Sequence, residues 1–399
     1  MHTLWITRQD PRPATSGEMI YSLGLIRALA AQDDQRLTVL AHRHPDAVGE
    51  VPGVTWRLPA EIGKKSALCL LSGLPGDAHR LGGPAMRAAL AELLEAETFD
   101  RVAIDQAACG WALDLLPADL PLLYVAHNHE AAVRAEVAAA CEGSPPMRWA
   151  IKRDAALYAR LERRIAARAR WISAITPRDR ASFESDFPDK AYLVLSPGYD
   201  AAVTDAPDEH GPSITESTPR RVVLAGAFEW IAKRRNLESF LAAAAEPFQA
   251  AAIEFHVVGK ADPEFFARLA RRFPWAEFTA NVPAMNPHLR DARIGLIPEA
   301  LGGGFKLKAL DYIFRGLPLA SIRSALSGLP LTPGTTALAA DTSADLAREI
   351  AEKIDDLEFL NAAAGGAREA CRGAFDWADR GRDLAAALRR EPAPADAAV

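Results

Sequence analysis

The sequence predicts two successive parallel α/β domains facing each other across a ligand cleft. Three observations carry this. Short apolar runs alternate with helix-period segments from the N-terminus onward, and a β–α–β order implies a parallel sheet with right-handed crossovers. The rhythm stops at the polar stretch 201–220, rich in Pro, Asp, Glu, Ser and Thr, then restarts. Such a stretch reads as a linker. Finally, a chain of 399 residues, 49% hydrophobic and 25% charged, has enough length and apolar content for two cores.

Leu4 to Thr7 is the first strand, followed by a loop from Arg8 to Gly17. Glu18 to Ala31 is helical, because Ile20, Leu23, Ile26, Ala28 and Leu29 recur near helical spacing. Leu37 to Ala41 is the next strand. Ligands at parallel sheets sit where strands end and helices begin, so Gly17 is a candidate floor for the cleft. The alternative is an ordinary strand-to-helix turn. Glu61 to Pro84 is irregular, with Lys64, Lys65, the run Leu68-Cys69-Leu70-Leu71 and several Gly/Pro breaks; the expectation is a mobile apolar-basic loop. A helix from Met86 to Glu95 follows. Next come the strands Phe99 to Ile104, ending at Asp105, and Pro121 to Ala126, ending at His127-Asn128-His129-Glu130. A helix carrying Val133, Val137 and Cys141 comes after them.

Met147 to Trp171 is a long helical stretch dense in Arg and Lys, with Ala150, Leu157, Leu161 and Ile165 as its apolar stripe. It reads either as a solvated face on a core helix or as a contact with an anionic membrane surface or phosphorylated acceptor. Trp171 to Ile175 and Ala191 to Leu195 are the last strands before the linker. After it come the strand Arg221 to Ala225, the helix Asn236 to Ala245 and the strand Ile253 to Val258. The helix Pro263 to Phe273, the strand Glu277 to Ala280 and the short helix Asn286 to Arg290 continue the pattern. The strand Arg293 to Ile297 leads into a glycine run and another helix. Leu317 to Ile322 and Thr336 to Ala339 are strands; Ser343 to Leu357, Phe359 to Arg372 and Phe375 to Leu388 are helices; residues 390–399 form an Ala/Pro tail expected to be disordered.

Bulk properties exclude several classes. A net charge of -6 disfavours nucleic acid as a partner. No apolar run is long enough to span a bilayer, and the first residues lack the pattern of a signal peptide. Cys69, Cys109, Cys141 and Cys371 are scattered with no CxxC pair, so neither a zinc site nor a disulfide framework is expected, and a cytoplasmic protein fits. No Gly-x-Gly-x-x-Gly follows the first strand of either half, which disfavours a dinucleotide-dependent oxidoreductase.

The stretch Ile297-Pro298-Glu299-Ala300-Leu301-Gly302-Gly303-Gly304-Phe305-Lys306-Leu307-Lys308 carries the most chemistry. Glycines let backbone N–H groups approach a phosphate, a helix N-terminus adds partial positive charge, and two lysines add full charges. An anionic ligand, a nucleotide diphosphate, is the sharper reading. A glycine-rich turn with surface lysines is the plain one.

These residues carry a resemblance. Gly303-Gly304-Phe305-Lys306-Leu307-Lys308-Ala309-Leu310-Asp311 is similar to the second-domain motif of retaining glycosyltransferases of the GT-B fold, family 4. It looks most like the branch whose motif reads Gly-Gly-Gly-Thr-Arg-Leu-Lys-x-Leu-Glu. Gly226-Ala227-Phe228-Glu229-Trp230, the His127–Glu130 stretch, Ile175-Thr176-Pro177, Ser196-Pro197-Gly198-Tyr199-Asp200 and Phe375-Asp376-Trp377 resemble further landmarks of that branch, in order. The resemblance implies two Rossmann-like domains: residues 1–200 on the acceptor side and 221–374 for the nucleotide sugar. The 375–389 helix would return to the first domain. Two departures stand out. Gly303 occupies the place of the wider family's first motif Glu, and Asp311 shortens the second.

In that frame Lys306, Lys308, Lys233 and Arg234, with Gly303, Gly304, Phe305 and Gly17, would bind the donor diphosphate. Asp311 would meet the ribose, and Asn281 and Val282 the base. His127 and Glu130 would contact the sugar at the reacting centre, with Lys308 stabilising the leaving group. A structural histidine and a helix-capping glutamate are the plain alternatives. No Asp-x-Asp motif is present to hold Mg²⁺, so no metal or cofactor is expected beyond a UDP- or GDP-linked sugar. The partners expected are that donor, a glycan or lipid-linked acceptor, and peripheral membrane contact through the basic 147–171 helix at the inner face. Two other readings share the fold: a sugar-nucleotide epimerase and a catalytically silent nucleotide-sugar binding protein.

Overall fold

The structure, a computed structural model, describes residues 1–64, 69, 72–141, 143–199, 213–282 and 285–390. The chain divides into two compact units. The first is Met1–Gly198 together with the segment that begins at Asp376; the second is Tyr199–Phe375.

The first unit holds a seven-stranded parallel sheet. Its strands are β1 (His2–Gln9), β2 (Arg36–His42), β3 (Val54–Arg57), β4 (Arg101–Asp105), β5 (Leu122–Ala126), β6 (Trp171–Ala174) and β7 (Ala191–Val194), in the order β3-β2-β1-β4-β5-β6-β7. The central strands are apolar without alternation, and every residue of β5 is buried, because helices cover both faces of such a sheet. The helices are α1 (Gly17–Ala30), α2 (Gly76–Leu81), α3 (Pro84–Ala96), α4 (Glu130–Ala139), α5 (Pro145–Arg168) and α6 (Pro177–Asp186). Leu4, Ile6, Val102, Ile104 and Tyr124 pack with Leu161 and Ile165 of α5 in one core. Ser16 caps α1 by accepting from the Met19 N–H, and Thr176 caps α6 by accepting from Asp179, with Pro177 in the first turn.

Two expectations for this unit change, and one strand is added. The basic helix ends at Arg168, not Trp171, because the Arg170 N–H donates to the Leu122 carbonyl and Trp171 is drawn into β6. The expected loop 61–84 contains α2, tied down by the Gly76 N–H to Asp154 Oδ1 at 2.7 Å and Arg153 to the Ser72 carbonyl at 2.9 Å. Lys65 and the Leu68, Leu70 and Leu71 side chains lie outside the described residues. β3 is an edge strand of half-exposed residues whose apolar pattern is too short to read.

The second unit holds a six-stranded parallel sheet. Its strands are β8 (Arg221–Ala227), β9 (Glu254–Lys260), β10 (Ala276–Ala280), β11 (Ile294–Ile297), β12 (Leu319–Ile322) and β13 (Leu338–Ala340), ordered β10-β9-β8-β11-β12-β13. Its helices are α7 (Ile231–Ala250), α8 (Pro263–Arg272), α9 (Asn286–Arg290), α10 (Leu307–Phe314), α11 (Ser343–Lys353) and α12 (Leu357–Cys371). Two cores lie in this unit. One gathers Phe240, Phe248 and Phe255, the other Leu310, Tyr312 and Ile313. α7 begins at Ile231, five residues before the expected start, so Lys233 and Arg234 stand in its first turn. The helix expected from Ser343 to Leu357 ends at Lys353, and the one expected from Phe359 starts at Leu357, where the Asp356 side chain caps α12 by accepting from the Phe359 N–H.

Of the expected linker 201–220, residues 201–212 lie outside the description, as does the 391–399 portion of the expected tail. The remainder is part of the second unit. Asn361 exchanges hydrogen bonds with both backbone groups of Ile214, and the buried Arg293 donates to the Thr218 carbonyl. The last helix, α13 (Trp377–Arg389), belongs to the first unit and packs on α1. The contact is glycine-dependent. A Cβ at Gly24 would stand 2.2 Å from the Trp377 ring, and one at Gly381 would stand 2.2 Å from the Ala28 carbonyl oxygen. Among the described residues no helix is long and apolar enough to cross a membrane.

In each sheet the strand order reverses once, between β1 and β4 and between β8 and β11. Helices diverge to opposite faces there and leave a crevice at the strands' carboxyl ends. The glycine run follows β11 and the first turn of α7 follows β8, both at the second unit's reversal.

Candidate functional site

In the second unit the glycine run is held from two sides. The Asn236 amide of α7 donates to the Leu301 carbonyl at 2.8 Å and accepts from the Leu301 N–H at 3.0 Å. Gly302 and Gly304 have φ of 98° and 74°, the left-handed region that glycine tolerates. Lys306 donates back to the Gly303 carbonyl at 2.7 Å. No side chain caps the N-terminus of α10 or of α7.

Lys308 is not a surface lysine. Its Nζ lies 2.5 Å from Glu299 Oε1, and Glu299 is buried, with its second oxygen lacking a hydrogen-bond partner. Burial alone would raise the Glu299 carboxyl. Lys308, Lys306 and Lys233 outweigh it and hold the group below the ordinary range. Burial, then the charge of Lys308, pushes the Lys233 ammonium down, opposed by Glu299. Three lysines therefore share one buried carboxylate and leave a net positive charge beside the glycines. Glu299 is the residue that motif reading passed over. Its signal was a carboxylate directly after the proline that ends a buried strand.

The other expected donor residues are placed as follows. Arg234 donates to the Phe228 carbonyl at 2.7 Å and its guanidinium covers the Phe265 ring. Its side chain is thus occupied within the unit rather than in the lysine cluster. Phe305 packs near Phe375, with ring centroids 5.5 Å apart. Asp311 accepts from the Tyr199 hydroxyl at 3.0 Å through one oxygen, and burial raises its carboxyl. Asn281, at φ 55°, exchanges side-chain hydrogen bonds with both backbone groups of Ala261 and so shapes the turn after β10, where Val282 follows. Pro283 and Ala284 lie outside the described residues.

In the first unit Gly17 opens α1, and Glu18 beside it lies 3.8 Å from Arg8. His127 follows β5. Its Nε2 stands 2.7 Å from Asp105 Oδ1, and the Trp5 indole N–H donates to Asp105 Oδ2 at 3.0 Å. Burial disfavours the charged ring, but the Asp105 carboxylate outweighs it, so His127 titrates above an ordinary histidine. The Tyr21 ring meets it edge-on at 5.0 Å. Asp105 is fully buried, and the next residue, Gln106, has φ 79°, a strained backbone for a side chain of its kind. Glu130 accepts from Asn128 at 3.1 Å and from Arg134 at 2.8 Å. The buried Glu162 of α5 accepts from the Glu130 and Ala131 N–H groups, fixing the start of α4 behind His127. Burial pushes the Glu162 carboxyl up to about 7.

Residues 219–357 match the family described as glycosyl transferases group 1. Solved structures with the same fold include sucrose-phosphate synthase from Thermosynechococcus elongatus, at 16% identity over 98% of each chain with a TM-score of 0.74. WaaG, a glycosyltransferase involved in lipopolysaccharide biosynthesis, aligns at 15% identity over 96% of this chain and 99% of that one, with a TM-score of 0.64. The HepE protein of Anabaena, in complex with UDP and glucose, aligns at 14% identity over 98% and 99%, with a TM-score of 0.61. No curated protein matches the sequence. The two parallel-sheet units are those of the GT-B fold, and the matched segment of the second unit is that of group 1 glycosyl transferases.

Proposed function

We infer that the chain moves a sugar from a UDP- or GDP-linked donor to a glycan, lipid-linked or small-molecule acceptor, with retention and without a metal. The reading places it in family 4 and in the synthesis of cell-envelope polysaccharide or glycoconjugate. One observation carries it. Lys308 pairs with buried Glu299 beside the glycine run, and Lys306 and Lys233 add their charge to the same carboxylate, at the strand-order reversal inside the matched segment. A protein of the same fold, HepE, has been solved with UDP-glucose, which supports a nucleotide-sugar donor here.

In the reaction the bond from the anomeric carbon to the β-phosphate oxygen breaks and one to the acceptor oxygen forms. The acceptor hydroxyl's proton passes to the departing phosphate. Charge builds on that diphosphate, where Lys308, Lys306, Lys233 and the N–H groups of Gly303, Gly304 and α10 stabilise it. Asp311 keeps one carboxylate oxygen for the ribose, and the turn at Asn281 and Val282 receives the base. His127, held by Asp105, contacts the sugar.

Peripheral membrane contact belongs to the same reading. At the start of α5, Met147 and Trp149 are exposed at 43% and 58%, beside Arg148 and Lys152, which are exposed as well. An apolar tip within basic residues suits an anionic inner leaflet. A lipid-linked acceptor would meet a cytoplasmic enzyme there.

The test is incubation with labelled UDP- and GDP-sugars, with and without candidate acceptors. Donor hydrolysis or transfer with retained anomeric configuration, read by NMR, is expected. Epimer formation would make it an epimerase, and tight binding with no turnover a silent binding protein. Failure to co-sediment with anionic vesicles at low salt would remove the membrane contact.

A further inference from the structure

Trp230 has no part in the scheme above. Among the described residues of the second unit it is the one large apolar side chain left exposed, at 37%. An exposed indole beside a polar loop offers an apolar face with a wet edge, the surface on which a ligand's apolar face can lie. Its position is specific. A Cβ built on Gly302 would stand 3.1 and 3.4 Å from two carbons of the indole's six-membered ring. The ring edge thus rests on the first glycine of the run, and the glycine is what lets it settle so close. Trp230 also precedes α7, whose first turn carries Lys233. Beside it Glu229 and Lys260 form an exposed ion pair at 3.2 Å, a polar rim next to an apolar face.

We propose that Trp230 is a carbohydrate-stacking residue, taking the apolar C–H face of a pyranose ring at the mouth of the glycine run. This rests on the nucleotide-sugar reading given above. A hexose is joined to the β-phosphate by one oxygen, so a phosphate held at Gly303 and Gly304 brings its sugar close to Gly302 and to the ring upon it. An acceptor sugar approaching the same anomeric carbon would present the same chemistry. Stacking excludes water from the C–H face while hydroxyls at the ring's edge reach the Glu229–Lys260 rim. The indole contributes area at little entropy cost, because its contact with Gly302 already fixes it.

The experiment uses the full chain, with Trp230→Ala and Trp230→Phe compared against the parent protein. Calorimetry measures binding of UDP, GDP, UDP-glucose and GDP-mannose, and steady-state rates give the acceptor KM. If the donor sugar stacks, Trp230→Ala weakens the accepted nucleotide sugar about tenfold. The matching nucleoside diphosphate is then held as before, and Trp230→Phe recovers most of the loss. If an acceptor sugar stacks, donor binding is unchanged and the acceptor KM rises by about the same factor. Either result supports the proposal. Equal weakening of nucleotide sugar and nucleoside diphosphate, with a lowered melting temperature, would mean that the ring merely covers the loop. No change in any constant would overturn it as well. A parent protein that binds none of the four nucleotides overturns the nucleotide-sugar reading and this proposal together.

Discussion

At the scale of single residues, two ion pairs set the expected behaviour. Burial lowers the His127 titration and Asp105 raises it by more. In Asp105→Asn the amide oxygen still accepts from Trp5, while its N–H₂ faces His127 Nε2 and makes that nitrogen an acceptor. Burial is then opposed only by the lesser charge effects of Glu18 and Glu130. The His127 titration, followed by ring NMR signals, should move from above to below the ordinary histidine value of about 6.5. Lys308 and Glu299 form the second pair. Lys308→Ala strips a buried carboxylate of its closest counter-charge, which costs about 3–5 kcal/mol when such a pair is broken on one side. Activity and melting temperature should fall together. Adding Glu299→Gln should restore most of the melting temperature and none of the turnover, which separates the phosphate role from the packing role. From the sequence Lys308 looked like one of two cations beside glycines. Its burial was hidden because Glu299 lies nine residues earlier, at the end of another element.

At the scale of elements, helix starts and helix contacts carry the consequences. Glu162 of α5 caps α4, and its folded carboxyl sits near pH 7 against about 4.5 when unfolded. The native state then keeps a proton that the unfolded chain has lost. Stability from this group is present below about pH 4.5 and lost as pH rises toward 7. In Glu162→Gln the melting temperature should be lower overall, yet its decline between pH 5 and 7 should flatten. On the other side of the sheet Gly381 meets backbone that cannot yield, so Gly381→Ala should cost about 1–3 kcal/mol, read as a shift in the denaturant midpoint. Most elements were legible because buried parallel strands are short apolar runs separated by helix-period segments. The exceptions have physical reasons. β3 is half exposed and so lacks a pattern. α2 is held by Asp154 and Arg153, which are distant in sequence. The first turn of α7 is charged, Lys233-Arg234-Arg235, and reads as a loop until the Glu299 charge beside Lys233 and the Phe265 ring under Arg234 are seen. The glycine run was legible as a phosphate cradle candidate because backbone freedom and charge are written in residue types. Glu299, Asn236 and Trp230 were not, since each acts through a tertiary contact.

At the scale of the whole molecule, the second unit is an insertion. It begins and ends at neighbouring residues, with the Tyr199 N–H donating to the Phe375 carbonyl at 2.8 Å. A unit with its own sheet, its own cores and adjacent ends can be excised. A fragment of residues 199–375 should fold, and because it holds the lysine cluster, Asp311 and Asn281, it should bind the nucleoside diphosphate that the full chain binds. Calorimetry on the fragment checks this. A folded fragment without such binding would shift the phosphate site away from the glycine run. The first unit has the opposite character. Its groove on α1, where Gly24 and Ala28 receive Trp377 and Gly381, is filled by the last helix described. During synthesis the ribosome therefore releases a seven-stranded sheet whose α1 stays uncovered while the whole second unit is made. The segment made first is finished last, and any truncation or stalled translation before Trp377 leaves an apolar groove open to chaperones.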